Sequence, residues 1–462
     1  MDRIVRAGLL FRQGVPPHAS YLFKHALIQD AAYGTLLREP RRALHARIAE
    51  TLESGFADIA ENQPEILARH CTDAGLTEKA AGLWGKAGQQ SMTRSALVEA
   101  DTQFARALDQ IATLPATPAR RREQIKLQVG RITPLMHIKG YAAPETQAAT
   151  EQARLLIEQA EALGEPPEDP SELFSVLYGF WAANLVAFNG DVCRDLAAQF
   201  LSLAEKQGAA VPLMVGHELT GISLMFTGNI AGARAHFDQG LALYDPTNPR
   251  SVATRFGPAL YFRSWALWFL GYPEAALADA EDAVSHAREI GQAGSLMQVL
   301  VIAVSPFILC GNYVAAKAQL DEVVALADEK GAAPWKADGM MNQGCVSALT
   351  GEASNAIQMI TTGLIAWRSA GATVRVPEYG SYLASAYADI GLFDDAWRCV
   401  GDAIAAMEKT KEGGLRPRSI ALLGRLCSSR LSSIARKHNH ISSVLSLSPA
   451  NNKPSPGNSA PP

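Results

Sequence analysis

The chain of 462 residues has no closely spaced cysteines. Its six, Cys71, Cys193, Cys310, Cys345, Cys399 and Cys427, lie far apart, with no CxxC pair and no zinc-finger spacing. That excludes a disulfide framework and a structural zinc site, and reads as small core hydrophobes in a reducing, cytoplasmic compartment. Long apolar runs are also missing. The longest, from Leu296 to Cys310, is broken by Gln298 and Pro306; a spanning helix needs roughly 20 apolar residues, so this run reads as a buried helix. The opening Met-Asp-Arg-Ile-Val-Arg lacks the basic-then-apolar start of a secretory signal. Neither sign of charge dominates: 42 Lys and Arg against 46 Asp and Glu leave a net charge of −4. Global attraction to nucleic acid or to an anionic membrane is therefore not expected. The clusters Arg41-Arg42 and Arg120-Arg121-Arg122 have no interleaved aromatics and read as solvated helix faces or ends. No GxxxxGK[ST] phosphate loop occurs, and nothing resembles the aspartate arrangement of a two-metal catalytic site. The expectation is a chain with no catalytic residues, no metal and no cofactor of its own.

What the sequence does have is a period. Gly228, Gly271, Gly311, Gly351 and Gly391 recur at intervals of 43, 40, 40 and 40 residues. Five positions after each stands an alanine: Ala233, Ala276, Ala316, Ala356 and Ala396. Nine positions after come Phe237, Ala280, Leu320, Ile360 and Val400, and thirteen after come Leu241, Val284, Val324, Leu364 and Ile404. Offsets of five, nine, twelve and thirteen are i, i+4, i+7 and i+8, one apolar stripe of a helix. Each unit then reads as a helix, a tight glycine turn and a second helix. The alanine methyl lets the two axes approach closely. A single pair cannot bury both its faces, so the units stack into an all-α helical-hairpin solenoid.

Along the chain, residues 1–60 read differently from the rest. Two short apolar segments, Ala7–Arg12 and Ser20–Phe23, flank a turn at Gln13–Pro17. Two amphipathic helices follow, Lys24–Leu37 and Arg41–Leu52, separated by Glu39-Pro40, the second with Leu44, Ile48 and Leu52 on its buried face. Connecting helical hairpins are expected over 61–165, with turns near Gly75 and Ser95. The repeat array is expected over 171–412 as six helix pairs. In the first pair, with Gly190 at the turn, Leu196, Phe200 and Leu203 stand about one residue out of register. The Ser-, Asn- and Pro-rich stretch 428–462 cannot bury enough apolar surface to order itself and reads as a disordered tail.

The offsets resemble the tetratricopeptide repeat, most closely at Gly311-Asn312-Tyr313-Val314-Ala315-Ala316 and Gly391-Leu392-Phe393-Asp394-Asp395-Ala396, although the period is about 40 residues rather than the 34 of that repeat. The segments Tyr21–Leu37 and Arg41–Glu50, with His70–Ala80 and Lys139-Gly140-Tyr141-Ala142-Ala143-Pro144-Glu145 after them, are similar to large bacterial signalling proteins. Those join a class III adenylate/guanylate cyclase, a STAND (AAA-like) ATPase and a tetratricopeptide tail. The resemblance runs over about residues 1–410 and implies that the chain matches their C-terminal portion, with a truncated winged-helix-like segment at residues 1–60. It also implies that His25, in Phe23-Lys24-His25-Ala26-Leu27, stands where such ATPases sense a nucleotide phosphate; a histidine that merely starts a helix is the plainer alternative. After Lys411-Glu412 the sequence departs from the family, as though its last repeats had been lost.

Three functions follow as expectations. The first is a non-catalytic interaction module that binds a protein or peptide in the solenoid groove, with Tyr261, Arg263, Trp265, Trp268, Tyr379 and Tyr382 as candidate groove residues. Packing between repeats is the competing role for those aromatics. The second is the sensory part of a cyclase or ATPase whose catalytic domains lie outside this chain and act as its partners. The third is a remnant of a transcription regulator.

Overall fold

The structure, a computed structural model, describes residues 1–15, 19–165, 169–245 and 260–410. These form 21 helices and one two-stranded hairpin. The turn residues Pro16 and Pro17, the Pro166-Pro167 break, the end of the array past Thr410 and the tail 428–462 lie outside the described residues. The chain divides into two compact units: residues 1–134 with 151–172, and residues 135–150 with 173 onward.

The first unit opens with helix α1 (Asp2–Arg6) and strands β1 (Leu10–Gln13) and β2 (Ser20–Phe23). The strands pair antiparallel with Leu10 opposite Phe23. Helices α2 (Ala26–Gly34), α3 (Arg38–Gly55), α4 (Ala57–Asn62), α5 (Pro64–Ala74), α6 (Thr77–Thr93) and α7 (Leu97–Ile111) follow. Two expectations need correcting. Glu39-Pro40 does not separate helices but sits in the first turn of α3, where a missing N–H removes no intrahelical bond. The buried face of α3 carries His45 and Ala49, while Leu44 is 41% exposed. Small residues decide the packing here: Ala68, Ala80, Ala87, Ala100 and Ala107 are fully enclosed around Trp84 and Phe104. Helices α8 (Pro118–Ile138) and α9 (Pro144–Ala162) contribute residues to both units.

The second unit is the repeat array. Its six pairs are α10 (Ser171–Val186) with α11 (Gly190–Gln207), α12 (Ala210–Phe226) with α13 (Ile230–Ala242), and α14 (Leu260–Phe269) with α15 (Pro273–Ile290). Then come α16 (Ala293–Leu309) with α17 (Tyr313–Glu329), α18 (Ala333–Leu349) with α19 (Ala353–Ser369), and α20 (Val376–Asp389) with α21 (Phe393–Thr410). The tetratricopeptide-like solenoid read from the period is the fold of this unit. Ala233, Ala276, Ala316 and Ala356 are 0% exposed, as are Phe237, Ala280, Leu320 and Ile360, so the stripe is the seam between paired helices.

The turn glycines are required by backbone conformation, not by crowding. Gly311 has φ 79° and Gly351 φ 87°, yet a Cβ on either would meet nothing within 4 Å. The first helices end in left-handed caps: at Gly311 the N–H donates to Ile308 O at 3.2 Å and Asn312 N–H to Phe307 O at 2.8 Å, the paired bonds of a Schellman motif. The first pair closes identically, but with Phe188 (φ 46°) in the glycine's place. Phe188 is 40 residues before Gly228. Counted from it, Cys193 and Ala197 occupy the buried seam positions at 1% and 0% exposure. The pair is therefore in register, and Gly190 is the first residue of α11 and not the turn. A left-handed backbone costs a bulky residue about 1–2 kcal/mol; burial of the Phe188 ring, 6.1 Å from that of Phe226, offsets it with about 1.5–3 kcal/mol.

The second unit also closes on itself. Thr373 N–H and Val374 N–H donate to Val186 O at 2.8 and 2.9 Å, and Thr373 Oγ1 donates to Ala187 O at 2.7 Å. The end of α10 is thus tied to the loop before α20, 186 residues away.

Candidate functional site

The closure borders a partly open cavity of about 100 Å³. Its wall comes from the first helices of five successive pairs: α10, α12, α14, α16 and α18. Trp367 of α19, Val374 and Arg375 of the clasping loop, and Tyr141 complete it. Eight aromatic rings line it, those of Tyr141, Tyr178, Trp181, Phe226, Phe262, Trp265, Trp335 and Trp367.

Hydrogen bonds fix several of these rings. Trp181 Nε1 donates to Ser223 Oγ at 2.9 Å, and Trp335 Nε1 to His137 Nδ1 at 3.1 Å. Trp265 Nε1 donates to Ile302 O at 2.7 Å. That carbonyl is the one Pro306 leaves without its helical partner, since proline has no N–H to give back to residue i−4. Helix α16, the run from Leu296 to Cys310, is buried on nearly every side as its composition predicts, with Pro306 inside it. No helix among the described residues is long and apolar enough to cross a membrane.

Three ionisable side chains stand in the wall. Glu218, on α12, is 3% exposed and accepts a hydrogen bond from Tyr261 Oη at 2.7 Å. Burial pushes its carboxyl up to about 8, with the Tyr261 bond only partly opposing. Asp338, on α18, is bonded by Tyr379 Oη and by Asn342 Nδ2 at 3.0 Å. Burial raises its carboxyl too, against the pull of Arg375 and Tyr379. Arg375 donates from Nε to Glu378 Oε2 at 2.8 Å and from Nη2 to Asn342 Oδ1 at 3.2 Å, and its Nη1 lies 3.6 Å from Asp338 Oδ1. Its guanidinium stands over the rings of Trp265 and Tyr379, 4.9 and 4.8 Å from their centroids. To reach there the residue adopts φ 63°, a strained conformation that persists only where its surroundings over-determine it.

The six groove candidates fall in different places. Trp265 lines the cavity; Tyr261 and Tyr379 stand behind it, holding Glu218 and Asp338. Arg263 is ion-paired with Asp238 at 2.8 Å and Asp279 at 3.4 Å. Trp268 is half-buried beside Phe269, and Tyr382 is buried in α20. In the first unit His25 is exposed at the start of α2. A cleft of about 910 Å³ in that unit is lined by Tyr33, His45, His70 and Asp73 but not by His25. Among the described residues no group of three His, Cys, Asp or Glu side chains is placed to hold a metal ion. Of the cysteines, Cys71, Cys193 and Cys345 are buried, whereas Cys310 is exposed, unlike the core residue its sequence suggests.

Sequence reasoning missed Glu218 and Asp338, which sit singly in otherwise apolar or mixed helices, and Arg375, which stands in the loop before α20. One signal was present: Lys139-Gly140-Tyr141-Ala142-Ala143-Pro144 stood out, and this segment brings Tyr141 to the cavity.

The chain matches no protein-family profile. Over 303 residues it is 27% identical to an uncharacterized protein of Rhizobium meliloti (strain 1021), covering 64% of this chain and 28% of that protein. The chain thus spans less than a third of the length of that curated relative. Among solved structures it is similar to a Rap protein complexed with Competence and Sporulation Factor, at 10% identity over 76% of this chain and 99% of the other, with a TM-score of 0.47. The apo quorum sensor NprR from B. thuringiensis gives 9% identity over 79% and 99%, with a TM-score of 0.48. A STAND protein with a tetratricopeptide repeat sensor from Pyrococcus horikoshii gives 13% over 79% and 57%, with a TM-score of 0.35. The assignment to the helical-repeat class rests on the six helix pairs themselves.

Proposed function

We propose that the chain is a non-catalytic regulatory module of a bacterial signal-transduction protein, and that its repeat array binds a protein or peptide partner on the face where the first helices converge. One observation carries this: five first helices wall one cavity and bring six rings to it, Tyr141 and Trp367 add two more, and Glu218, Asp338 and Arg375 place three ionisable groups there. Tryptophan, tyrosine and arginine gathered at one site are the residue types that most often anchor a bound partner. Coverage of only 28% of the relative supports a module that works within something longer. In that larger protein the array is the sensory part attached to class III cyclase and STAND ATPase domains. Residues 1–60 are then the winged-helix-like end of the ATPase, and His25, exposed at the start of α2, is free to meet a nucleotide phosphate.

Peptide display against the full chain tests the binding reading. A consensus should be enriched by the natural chain and by a Val314→Ala control, whose side chain is 85% exposed, and lost with Phe262→Ala in the cavity wall. No enrichment, or enrichment indifferent to Phe262→Ala, overturns it.

A further inference from the structure

We infer that the cavity of the second unit receives a small alkylammonium group, with Glu218 as its counter-ion and the surrounding rings as its cage. The inference rests on the cavity being the recognition site of the array.

The first argument is charge. Arg375 is the cation of the wall, and it already answers two carboxylates, Asp338 and Glu378. Glu218 is a third acid, and among the described residues no Lys, Arg or His forms an ion pair with it. Its bonded neighbour is the Tyr261 hydroxyl. A buried carboxylate without a cation is costly, so the empty site keeps Glu218 protonated. A ligand that brings one positive charge lets that proton leave. A neutral or anionic ligand does not.

The second argument is the wall. Aromatic faces attract cations, most strongly when both are desolvated, and quaternary or methylated ammonium groups are recognised in this way. The protein itself uses one of these rings so: Trp265, together with Tyr379 behind the wall, holds the Arg375 guanidinium. The third is size. About 100 Å³ is well above the ~10–15 Å³ that a single water needs on the same measure. That leaves room for an ammonium head with short alkyl substituents. A free amine and the side-chain head of a lysine on a partner share this chemistry.

Calorimetric titration of the full chain with tetramethylammonium and with tert-butanol, its neutral counterpart of similar size, tests the inference. Tetramethylammonium should saturate with a dissociation constant in the millimolar range, as suits a handful of atoms, and tert-butanol should bind at least tenfold more weakly. In buffers of different ionisation enthalpy at pH 7, binding should release about one proton. The titratable and charged groups that face the same cavity as Glu218 are Tyr141, Tyr178, Asp338 and Arg375, and Tyr261 is bonded to its carboxyl. Glu218→Gln should weaken the cation at least tenfold and abolish proton release. Phe262→Leu, which leaves the acid in place, should weaken the cation severalfold while keeping proton release. n-Butylammonium against a lysine-containing peptide separates the two sources. Equal binding of tert-butanol, an unchanged affinity in Glu218→Gln, or no saturable cation binding overturns the inference. Display that enriches no peptide while tetramethylammonium binds removes the partner reading and leaves this one.

Discussion

The bond from Trp265 to the Ile302 carbonyl gives a quantitative handle on the cavity. Pro306 cannot donate to Ile302 O, so the indole Nε1–H is what satisfies that acceptor, at 2.7 Å. Trp265→Phe keeps a ring but removes the donor. A buried carbonyl left unpaired costs about 1–3 kcal/mol, and loss of indole packing and of the stronger cation–π platform under Arg375 adds to it. Pro306→Ala supplies the missing N–H from within α16 and should by itself stabilise the helix, since interior proline costs about 3 kcal/mol. In that background Trp265→Phe loses packing but leaves no orphaned carbonyl. Packing losses are the same in both backgrounds and cancel in the double-mutant cycle. The coupling between the two positions should therefore be at least about 1 kcal/mol, in the sense that Pro306→Ala rescues Trp265→Phe. Repeat arrays need not unfold in one step, so the readout is native-state hydrogen exchange of the α16 amides, with urea unfolding alongside. Additivity within about 0.5 kcal/mol would refute the idea that the tryptophan substitutes for the proline's absent donor.

Glu218→Gln should remove a pH trend. With its pKa raised from 4.5 to about 8, the folded state binds the proton more tightly, so this group's contribution is present below pH 4.5 and lost as pH rises to 8, on the order of a few kcal/mol; melting temperatures of the variant should lack that decline. His217 and His236 meet Nδ1 to Nδ1 at 3.1 Å, and burial, joined at His217 by the charge of His236, lowers both. The unfolded chain then binds more protons, so stability should fall as pH drops below 6.5, and His236→Gln should flatten that slope in the same melting series. Gly311→Ala should cost about 1 kcal/mol in unfolding experiments through its φ of 79°, since the added Cβ meets no neighbour, and Gly311→Asn less, because asparagine tolerates the left-handed region better.

The period made the array legible, because a glycine every 40 residues records a backbone need that other residues satisfy poorly. The same habit of looking for glycine misplaced the first turn, where Phe188 takes the left-handed conformation for the sake of its buried ring. A second series went unread: Gly291, Gly331 and Gly371, also with positive φ, end the second helices and enter the links between pairs. In α3 the stripe Leu44–Ile48–Leu52 looked like the core face, but alanine-lined packing let the face turn to His45 and Ala49. The cavity was the least legible part. Glu218, Asp338 and Arg375 are far apart in sequence, and only the clasp of Thr373 and Val374 on Val186 shows that helices four pairs apart surround one space.

That clasp has a consequence for how such a protein can change over generations. Tandem hairpin arrays commonly lengthen or shorten by whole units, since each touches only its neighbours. Here an added or deleted hairpin between α10 and α20 would carry Thr373 away from Val186 and Ala187 and leave their carbonyls without those donors. The count of hairpins from α10 to α20 is fixed as the members of a ring are, and diversification is steered into side chains instead of copy number.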